Sequence, residues 1–358
     1  MPQPKGRDLE RTAEALARWL RARLPQAQAL HVTDLRGPKD TGFSSDTLLF
    51  TLDWRERGEA RRRELVARLA PVADFGVFPE YDVVLQYRML EALAGSEVPV
   101  PEALWLEQDP APLGSPFYVM ERLDGLVPSD SPPYHAAGWI AELPPERRER
   151  LWWSGVDALA AVHRLDPSEP RFAFLPRPPA GTPPIRAQLD YWDRYVDWGM
   201  ERARYPLIGR ARDWLAAHAP EHEPVGLCWG DARISNQIFR DERVVGVLDW
   251  EMAFVGNPVA DLAWFVTIDR VFTEGIGLPR LAGLPDAAAT IRRWEQQSGR
   301  RAEPWDFYEV FAAYRFAVIM ARVFLQMKHY ELVPEEAMVD VTNLSTPVLA
   351  AVLAAVAA

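Results

Sequence analysis

Cysteine is almost absent from this sequence, and its scarcity excludes several kinds of protein. Cys228 is the only cysteine among the 358 residues. An intrachain disulfide therefore cannot form, and nothing in the cysteine content indicates an oxidising compartment. The sequence also lacks a Cys/His cluster with the spacing of a zinc site. We expect Cys228 to be a buried structural thiol.

The sequence also lacks an excess of positive charge. It contains 40 lysines and arginines against 51 aspartates and glutamates, which gives a formal net charge of −11. Such a chain is a poor general binder of nucleic acid or anionic membrane. The apolar C-terminal tail from Pro347 is shorter than the ~20 residues that span a bilayer, so we expect a docked helix there. With no signal-peptide pattern visible, we predict a cytoplasmic protein.

What the sequence does contain is one stretch with three polar residues at suggestive spacing. Asp231 lies in a Gly-Asp turn, Asn236 follows five positions later, and Asp249 ends the apolar strand 244–248. A carboxylate can orient a hydroxyl group and accept its proton. Amide and carboxylate oxygens are ligands that Mg²⁺ prefers. Asp231 is therefore the candidate base, and a hairpin-like return would bring the candidate metal ligands Asn236 and Asp249 together.

Arg233, two residues beyond Asp231, is a candidate to face a transferring phosphate. Taken singly, each of these residues is more commonly structural, because Gly-Asp pairs form turns and an aspartate can cap the end of a strand. The longer order of motifs is more specific. It runs through Trp-Gly-Asp, Asn, Leu-Asp-Trp-Glu, Gly-Asn-Pro and Asp-Leu-Ala over residues 229–263.

The pattern of the chain changes after residue 122. The first part predicts helices over 8–24 and 79–94, strands near 30–32, 47–52, 64–69, 102–107 and 116–121, and a charged turn over 55–63. The second part predicts helices over 145–165, 185–218, 262–272, 286–298, 304–329 and 334–357. A chain of 358 residues is too long for one ordinary core. We therefore predict two lobes, 1–122 and 123–358.

Two further segments allow alternative interpretations. Backbone N–H groups of the small-residue turn at Gly42, Phe43, Ser44 and Ser45 can cover phosphates, but an ordinary hairpin turn fits equally well, and no G-x-G-x-x-G is present. Four aromatic residues follow a loop with seven prolines at 167–184, and they either belong to the core or line an acceptor pocket. They are Tyr191, Trp192, Tyr195 and Trp198.

Over roughly residues 30–330, these motifs resemble the aminoglycoside phosphotransferase/choline kinase superfamily. The similarity is greatest to the branch that includes kinase-like regions of some acyl-CoA dehydrogenases. The resemblance implies an α+β, protein-kinase-like fold, with an antiparallel β N-lobe that binds nucleotide and a mainly helical C-lobe for catalysis and acceptor binding. It also implies ATP and Mg²⁺ as cofactors, and transfer of the γ-phosphoryl group to a hydroxyl of a small molecule.

The resemblance also implies roles for individual residues. Asp231 would be the catalytic base, Asn236 and Asp249 the magnesium ligands, and Asp261 a buttress of the catalytic loop. Backbone groups near Glu121 and Leu123 would contact the adenine, and the turn 42–45 would cover the phosphates.

Three positions depart from the family pattern. Trp229 replaces a scaffolding histidine, Arg68 replaces the strand lysine that pairs with phosphates, and Gln86 replaces the helix glutamate that pairs with that lysine. An Arg68–Gln86 contact would not be an ion pair.

Three alternatives concern what the site does. Arg68 and Gln86 favour a non-catalytic nucleotide-binding pseudokinase, which the intact Asp231/Asn236/Asp249 set opposes. A kinase of hydroxyacyl-CoA substrates is the second alternative. The third is antibiotic phosphorylation, which would need several acids in the acceptor pocket. Candidates for those acids are Glu251, Glu331, Glu335 and Glu336.

Overall fold

A computed structural model describes residues 8–37, 46–72, 74–179 and 181–357. Contacts within the chain divide it into two compact units. One consists of Met1–Ala94 with Val100–Asp124, and the other of Gly95–Pro99 with Gly125–Ala358.

The smaller unit is a five-stranded antiparallel sheet with two helices. Its elements are α1 Leu9–Arg23, β1 Gln28–Arg36, β2 Asp46–Glu56, β3 Glu59–Leu69, α2 Val83–Leu93, β4 Ala103–Glu107 and β5 Phe117–Glu121. The strand order is β1-β2-β3-β5-β4. Helix α1 buries Leu16 and Leu20 in the same core as the sheet, and the Trp19 ring packs 4.7 Å from that of Phe117. The amphipathic N-terminal helix is therefore part of this unit's core.

The charged segment 55–63 is mostly strand, so its prediction as a turn was wrong. Strands β2 and β3 pair continuously from Asp46 opposite Leu69 to Glu56 opposite Glu59. Only Arg57 and Gly58 connect them, with φ angles of 52° and 84°. Two left-handed residues form the tight turn that matches the twist of a hairpin. The charges misled the prediction because solvent-facing strand positions carry them as readily as turns do.

The larger unit is mainly helical. Its helices are α3 Trp139–Glu142, α4 Pro145–Arg164, α5 Pro184–Gly199, α6 Pro206–His218, α7 Val259–Val271, α8 Ala287–Ser298, α9 Trp305–His329 and α10 Thr346–Val356. Two short antiparallel strand pairs accompany them. Strand β6 Gly226–Cys228 pairs with β9 Phe254–Gly256, and β7 Gln237–Arg240 pairs with β8 Arg243–Val247. The α+β fold class with an antiparallel N-terminal sheet is thus confirmed.

Two predicted helices are shorter than expected. The segment 185–218 consists of α5 and α6, because the chain leaves the helix at Met200 and Pro206 begins a new one. Of 334–357, only Thr346–Val356 is α-helical. Before it, buried Asp340 accepts hydrogen bonds from Lys328 and Tyr205. These side-chain contacts anchor an irregular segment whose composition had suggested a helix.

Helix α9 is long and apolar enough to cross a membrane by length and composition alone. However, 72% of its most apolar window is buried inside the protein. A helix that is hydrophobic on all sides suits either a membrane or the core of a large unit. In this structure α9 packs against α6, α7 and α10, as a core helix does.

Candidate active site

The loop that joins β6 to β7 approaches the segment after β8 very closely. Gly230 has a φ of 92°, and a Cβ at this position would lie 1.9 Å from the Met252 carbonyl oxygen. Only glycine avoids this clash. Asp249, after β8, also has a left-handed φ of 62°, a conformation that aspartate tolerates better than most residues. The turn at Gly230 and the segment that begins at Asp249 therefore lie against each other.

The Asp231 carboxylate is buried, with 8% of the residue exposed. Its Oδ2 accepts hydrogen bonds from Asn236 Nδ2 at 2.7 Å and from Arg233 Nε at 3.1 Å. Its Oδ1 accepts one from the Trp264 indole Nε1 at 2.8 Å. Three donors on two oxygens fix the plane of this carboxylate.

Asn236 is connected both to Asp231 and to the end of β8. Its Nδ2 also donates to the Asp231 backbone carbonyl at 3.0 Å. Its own backbone carbonyl accepts a hydrogen bond from Leu248 N at 2.9 Å, one residue before Asp249. Because the amide nitrogen makes both side-chain bonds, the amide oxygen has no partner within the described part of the chain and is left for another ligand.

Asn236 and Asp249 offer the hard oxygen donors that magnesium requires. Among the described residues, no group of three or more His, Cys, Asp and Glu side chains is placed to hold a metal ion. Mg²⁺ usually takes only one or two protein carboxylates and completes its shell with water and substrate phosphates. The donor set therefore fits magnesium that arrives with a nucleotide.

Burial and charge together set the protonation of the site. Burial is the main cause that raises the pKa of the Asp231 carboxyl above its ordinary value; Arg233 opposes this effect, and Asp249 adds to it. Burial alone would lower the pKa of Arg233, but surrounding carboxylates outweigh it, and the pKa is raised. Arg233 therefore stays charged, while Asp231 is a stronger proton acceptor than an exposed aspartate.

Arg233 lies between two carboxylates. Besides its bond to Asp231, its Nη1 donates to Asp130 Oδ2 at 2.6 Å. Asp130 was not among the predicted site residues, because nothing in the proline-containing segment around it indicates a partner 103 residues away. The role of Arg233 towards a phosphate stays a prediction.

Asp261, at the start of α7, supports the loop from below. Its Oδ2 accepts from Trp229 N at 2.5 Å and its Oδ1 from Gly230 N at 2.9 Å. His163 Nε2 lies 3.1 Å from Oδ2, and Trp294 Nε1 donates to His163 Nδ1 at 2.8 Å. Since Nδ1 is the acceptor, Nε2 carries the proton. Burial lowers the pKa of His163, although the bond to Asp261 opposes this, so the imidazole is neutral.

Trp229 connects the loop to the Asp249 segment. Its Nε1 donates to the Leu248 carbonyl at 2.7 Å and to the Asp249 carbonyl at 3.2 Å. Its ring is fully buried and packs 5.7 Å from that of Trp250. An indole thus supplies the scaffolding contact at the position where the resembling family has histidine.

In the smaller unit, Arg68 and Gln86 both neighbour Tyr118, which was not among the predicted site residues. Arg68 on β3 lies directly opposite Tyr118 on β5, and such pairs point to the same face of the sheet. The Tyr118 hydroxyl donates to Gln86 Oε1 at 3.2 Å, and Gln86 is only 3% exposed. Gln86 is thus held by a neutral hydrogen bond.

The remaining nucleotide-side predictions concern backbone groups. The Glu121 amide donates to the Glu102 carbonyl at 2.9 Å, and Arg122 N donates to Glu64 O at 3.1 Å. The Glu121 N–H is therefore already used, so adenine contacts would have to come from other groups near it, such as the Leu123 amide. The turn at Gly42, Phe43, Ser44 and Ser45 lies outside the described residues.

Comparison with known families decides the assignment. The profile of the phosphotransferase enzyme family, APH, matches residues 38–303. The chain belongs to this family. The resemblance noted in the sequence is thereby confirmed, and the fold of this phosphotransferase-family protein agrees with it.

Curated relatives of this family member include much longer proteins. Mouse acyl-CoA dehydrogenase family member 10 is 28% identical over 281 residues, which cover 73% of this chain and 24% of that protein. The probable acyl-CoA dehydrogenase IBR3 of Arabidopsis thaliana is 29% identical, with coverage of 67% and 30%. The chain therefore spans only about a quarter to a third of these relatives.

Solved structures of low sequence identity share the fold. A protein of Ralstonia eutropha JMP134, described as a candidate aminoglycoside phosphotransferase, has a TM-score of 0.67 at 24% identity, covering 94% of this chain and 95% of that one. A thermostable mutant of aminoglycoside phosphotransferase APH(4)-Ia, in complex with ADP and hygromycin B, has a TM-score of 0.59 at 18% identity, covering 96% and 99%. At these identities the likeness concerns the fold alone.

The structure also places the residues considered for an acceptor pocket. Trp192 and Tyr195 are buried, as core residues are, whereas Tyr191 and Trp198 are 37% and 45% exposed. Three of the four candidate acidic residues, in the segment after α9, are exposed on the surface, while Glu251 is partly buried and acts electrostatically on Arg233. The exposed three are Glu331, Glu335 and Glu336.

Proposed function

We propose that this protein uses ATP and Mg²⁺ to transfer the γ-phosphoryl group to a hydroxyl of a small molecule. The observation that carries the proposal is the fixed geometry of the Asp231 carboxylate, held by Asn236, Arg233 and Trp264. A buried carboxylate with a raised pKa beside a further acid and an available amide oxygen has the composition of a phosphoryl-transfer site.

Each residue has a proposed task. Asp231 orients the acceptor hydroxyl and takes its proton. Asn236 and Asp249 would hold magnesium, which supplies charge neutralisation of the phosphate oxygens when bound. Arg233 keeps a guanidinium beside Asp231 that can also pair with phosphate. The proposed nucleotide contacts are Arg68, Gln86, the turn 42–45, and backbone groups near Glu121 and Leu123.

The names of the curated relatives favour hydroxyacyl-CoA compounds as the acceptor class. Several are acyl-CoA dehydrogenase family members, in which the matching region is about a quarter to a third of the protein. A kinase of hydroxyacyl-CoA substrates is therefore our second candidate within the same reaction type. Of the four acidic residues considered for binding polycationic aminoglycosides, Glu331, Glu335 and Glu336 are exposed on the surface, which offers less support for that acceptor class.

The test is a transfer screen with γ-labelled ATP and Mg²⁺ across hydroxyacyl-CoAs, amino-alcohols and aminoglycosides, with Asp231→Ala as control. We expect a labelled product with at least one class and none with the variant. ATP binding without transfer to any acceptor, together with background ATP hydrolysis that survives in Asp231→Ala, would instead indicate a non-catalytic nucleotide-binding protein.

A further inference from the structure

Two side chains outside the recognised motifs contact the Gly230-Asp231 turn. Trp264, on α7, lies three residues beyond Asp261 and donates its indole N–H to Asp231 Oδ1 at 2.8 Å. Arg315, on α9, donates from Nη2 to the Gly230 carbonyl at 2.9 Å. Both residues are 1% exposed. Both helices therefore send a buried polar group to the same turn.

The hydrogen bonds of Asp231 are distributed unequally between its oxygens. A carboxylate oxygen can accept about two hydrogen bonds in its plane. Oδ2 already accepts two, from Asn236 and Arg233, whereas within the described chain Oδ1 accepts only the one from Trp264. Oδ1 thus retains capacity for a further donor, such as an acceptor hydroxyl.

Arg315 is enclosed by aromatic rings. Its guanidinium carbon lies 4.5 Å from the Trp264 ring centroid, 5.4 Å from that of Trp192 and 5.3 Å from that of Phe311. Such cation–π contacts stabilise a guanidinium most strongly where water is excluded. The ring that contacts Asp231 is therefore also the ring nearest to the Arg315 charge.

The same residue is costly for the folded state. Its Nε and Nη1 are buried without a hydrogen-bond partner in the part of the chain that the structure describes. Burial lowers the pKa of Arg315 to about 10, with Asp261 and Asp231 opposing, so it remains charged at neutral pH. Each buried N–H group without an acceptor costs the folded state free energy. Stability alone therefore explains Arg315 poorly.

We propose that Trp264 and Arg315 are positioning residues that hold the Gly230-Asp231 turn and leave Oδ1 of Asp231 as the oxygen that receives the acceptor proton. Trp264 orients the carboxylate directly, and Arg315 holds both the indole ring and the Gly230 carbonyl. This inference rests on the proposed function of Asp231 as the base.

The first experiment compares Trp264→Phe with Trp152→Phe. Trp152 is also 1% exposed and donates its indole N–H to Thr290 Oγ1 at 2.9 Å, so its variant loses the same kind of buried bond elsewhere. With ATP, Mg²⁺ and either the acceptor found by screening or water as acceptor, we expect Trp264→Phe to lower kcat about 10- to 100-fold. The KM for ATP should stay within about twofold, because the substitution leaves the ground-state binding of ATP unchanged. Unchanged kcat in Trp264→Phe, or an equal loss in Trp152→Phe, would overturn the proposal.

The second experiment compares Arg315→Met with Arg315→Lys. We expect Arg315→Met to lower kcat about 10-fold or more. The unfolding temperature is measured for both variants, because the Met substitution also removes the donor to the Gly230 carbonyl and a positive charge near Asp231 and Asp261. Arg315→Lys keeps the charge and should recover part of kcat. Full activity of Arg315→Met contradicts a positioning role, and so does a loss of kcat that merely follows a lower unfolding temperature in both variants.

A third measurement does not depend on turnover. In protein labelled with ¹⁵N-tryptophan, the Trp264 indole resonance is the one missing from the Trp264→Phe spectrum. It should shift in Asp231→Asn, whereas the Trp152 resonance should not. An unmoved Trp264 resonance rejects the contact.

If the wild-type protein transfers phosphate to no acceptor, including water, the proposed function fails. If the wild-type protein is active and Trp264→Phe is equally active, only the positioning role fails.

Discussion

The loop around Asp231 and the sheet face around Arg68 are built by different means. Asp231 has three side-chain donors, among them a guanidinium and a buried indole. In the smaller unit, Gln86 on α2 accepts a hydrogen bond from the neutral Tyr118 hydroxyl at 3.2 Å, where the resembling family has a charged glutamate. The Asp231 carboxylate is therefore fixed partly by a charged donor, whereas Gln86 is held by a neutral one. Under the proposed function, the first region governs kcat and the second governs the KM for ATP.

The largest expected effect is on the rate of phosphoryl transfer, and it distinguishes the proposed base Asp231 from the proposed metal ligand Asp249. Asp231→Asn and Asp249→Asn should each lower the rate of phosphoryl transfer about 10²- to 10⁴-fold. Of the two variants, only Asp249→Asn should also raise the Mg²⁺ concentration needed for half-maximal rate, because Asp249 is a proposed magnesium ligand and Asp231 is not. A magnesium titration of initial rates measures both quantities.

Asp241→Asn is the matched control for this pair. Asp241 is an exposed aspartate that also has a positive φ, 50°. The substitution therefore shows what replacing an aspartate in this backbone conformation does outside the candidate site. It should leave rate and magnesium requirement unchanged. An equal magnesium requirement in Asp231→Asn and Asp249→Asn would contradict the assigned roles.

The next effect concerns the support of the loop. Asp261→Ala removes the acceptor of the Trp229 and Gly230 amides and of buried His163. Leaving buried donors unpaired should lower the free energy of unfolding by about 3 kcal/mol. Asp157→Ala, which breaks a half-exposed pair with Arg293 at 2.8 Å, should cost about 0–1 kcal/mol. Urea denaturation measures the free energy of unfolding of both variants. Similar losses in the two would show that the hydrogen bonds of buried Asp261 do not stabilise the loop.

A third test uses pH on the larger unit. Burial, then Arg280, lowers the pKa of His135 from 6.5 to about 4. The unfolded chain therefore binds this proton below pH 6.5 while the folded protein does not, and stability falls as pH decreases towards 4. The slope for this group is at most about 1.4 kcal/mol per pH unit. The difference in unfolding free energy between wild type and His135→Gln should follow that slope. A pH-independent difference would show that the pKa of His135 is not lowered in the folded protein.

The smallest effect is expected on the sheet. Arg68→Met should raise the KM for ATP about 10-fold, the worth of one charge-assisted hydrogen bond, and change kcat much less. Tyr118→Phe frees Gln86 Oε1 and should raise that KM by less. If Arg68→Met lowers kcat as strongly as Asp231→Asn, the contrast between the two regions is wrong.

Local pattern predicted much of this fold. Helices α1, α4 and α8 and strands β4 and β5 lie within two residues of their predicted bounds, because hydrophobic period and turn residues act over a few positions. The errors arose where other forces decide. The charged hairpin at 55–63 is stabilised by cross-strand pairing, and buried Asp340 anchors the irregular segment before α10 through Lys328 and Tyr205.

The sequence by itself determined which residues are candidates for the chemistry, since Asp231, Asn236 and Asp249 are joined by one short hairpin whose strands and turn are encoded locally. Only the tertiary structure decided how they are held. Arg315 bonds to Gly230 across 85 positions, Asp130 to Arg233 across 103, and His163 to Asp261 across 98. Contacts at such separations depend on how helices pack, and no local spacing encodes them.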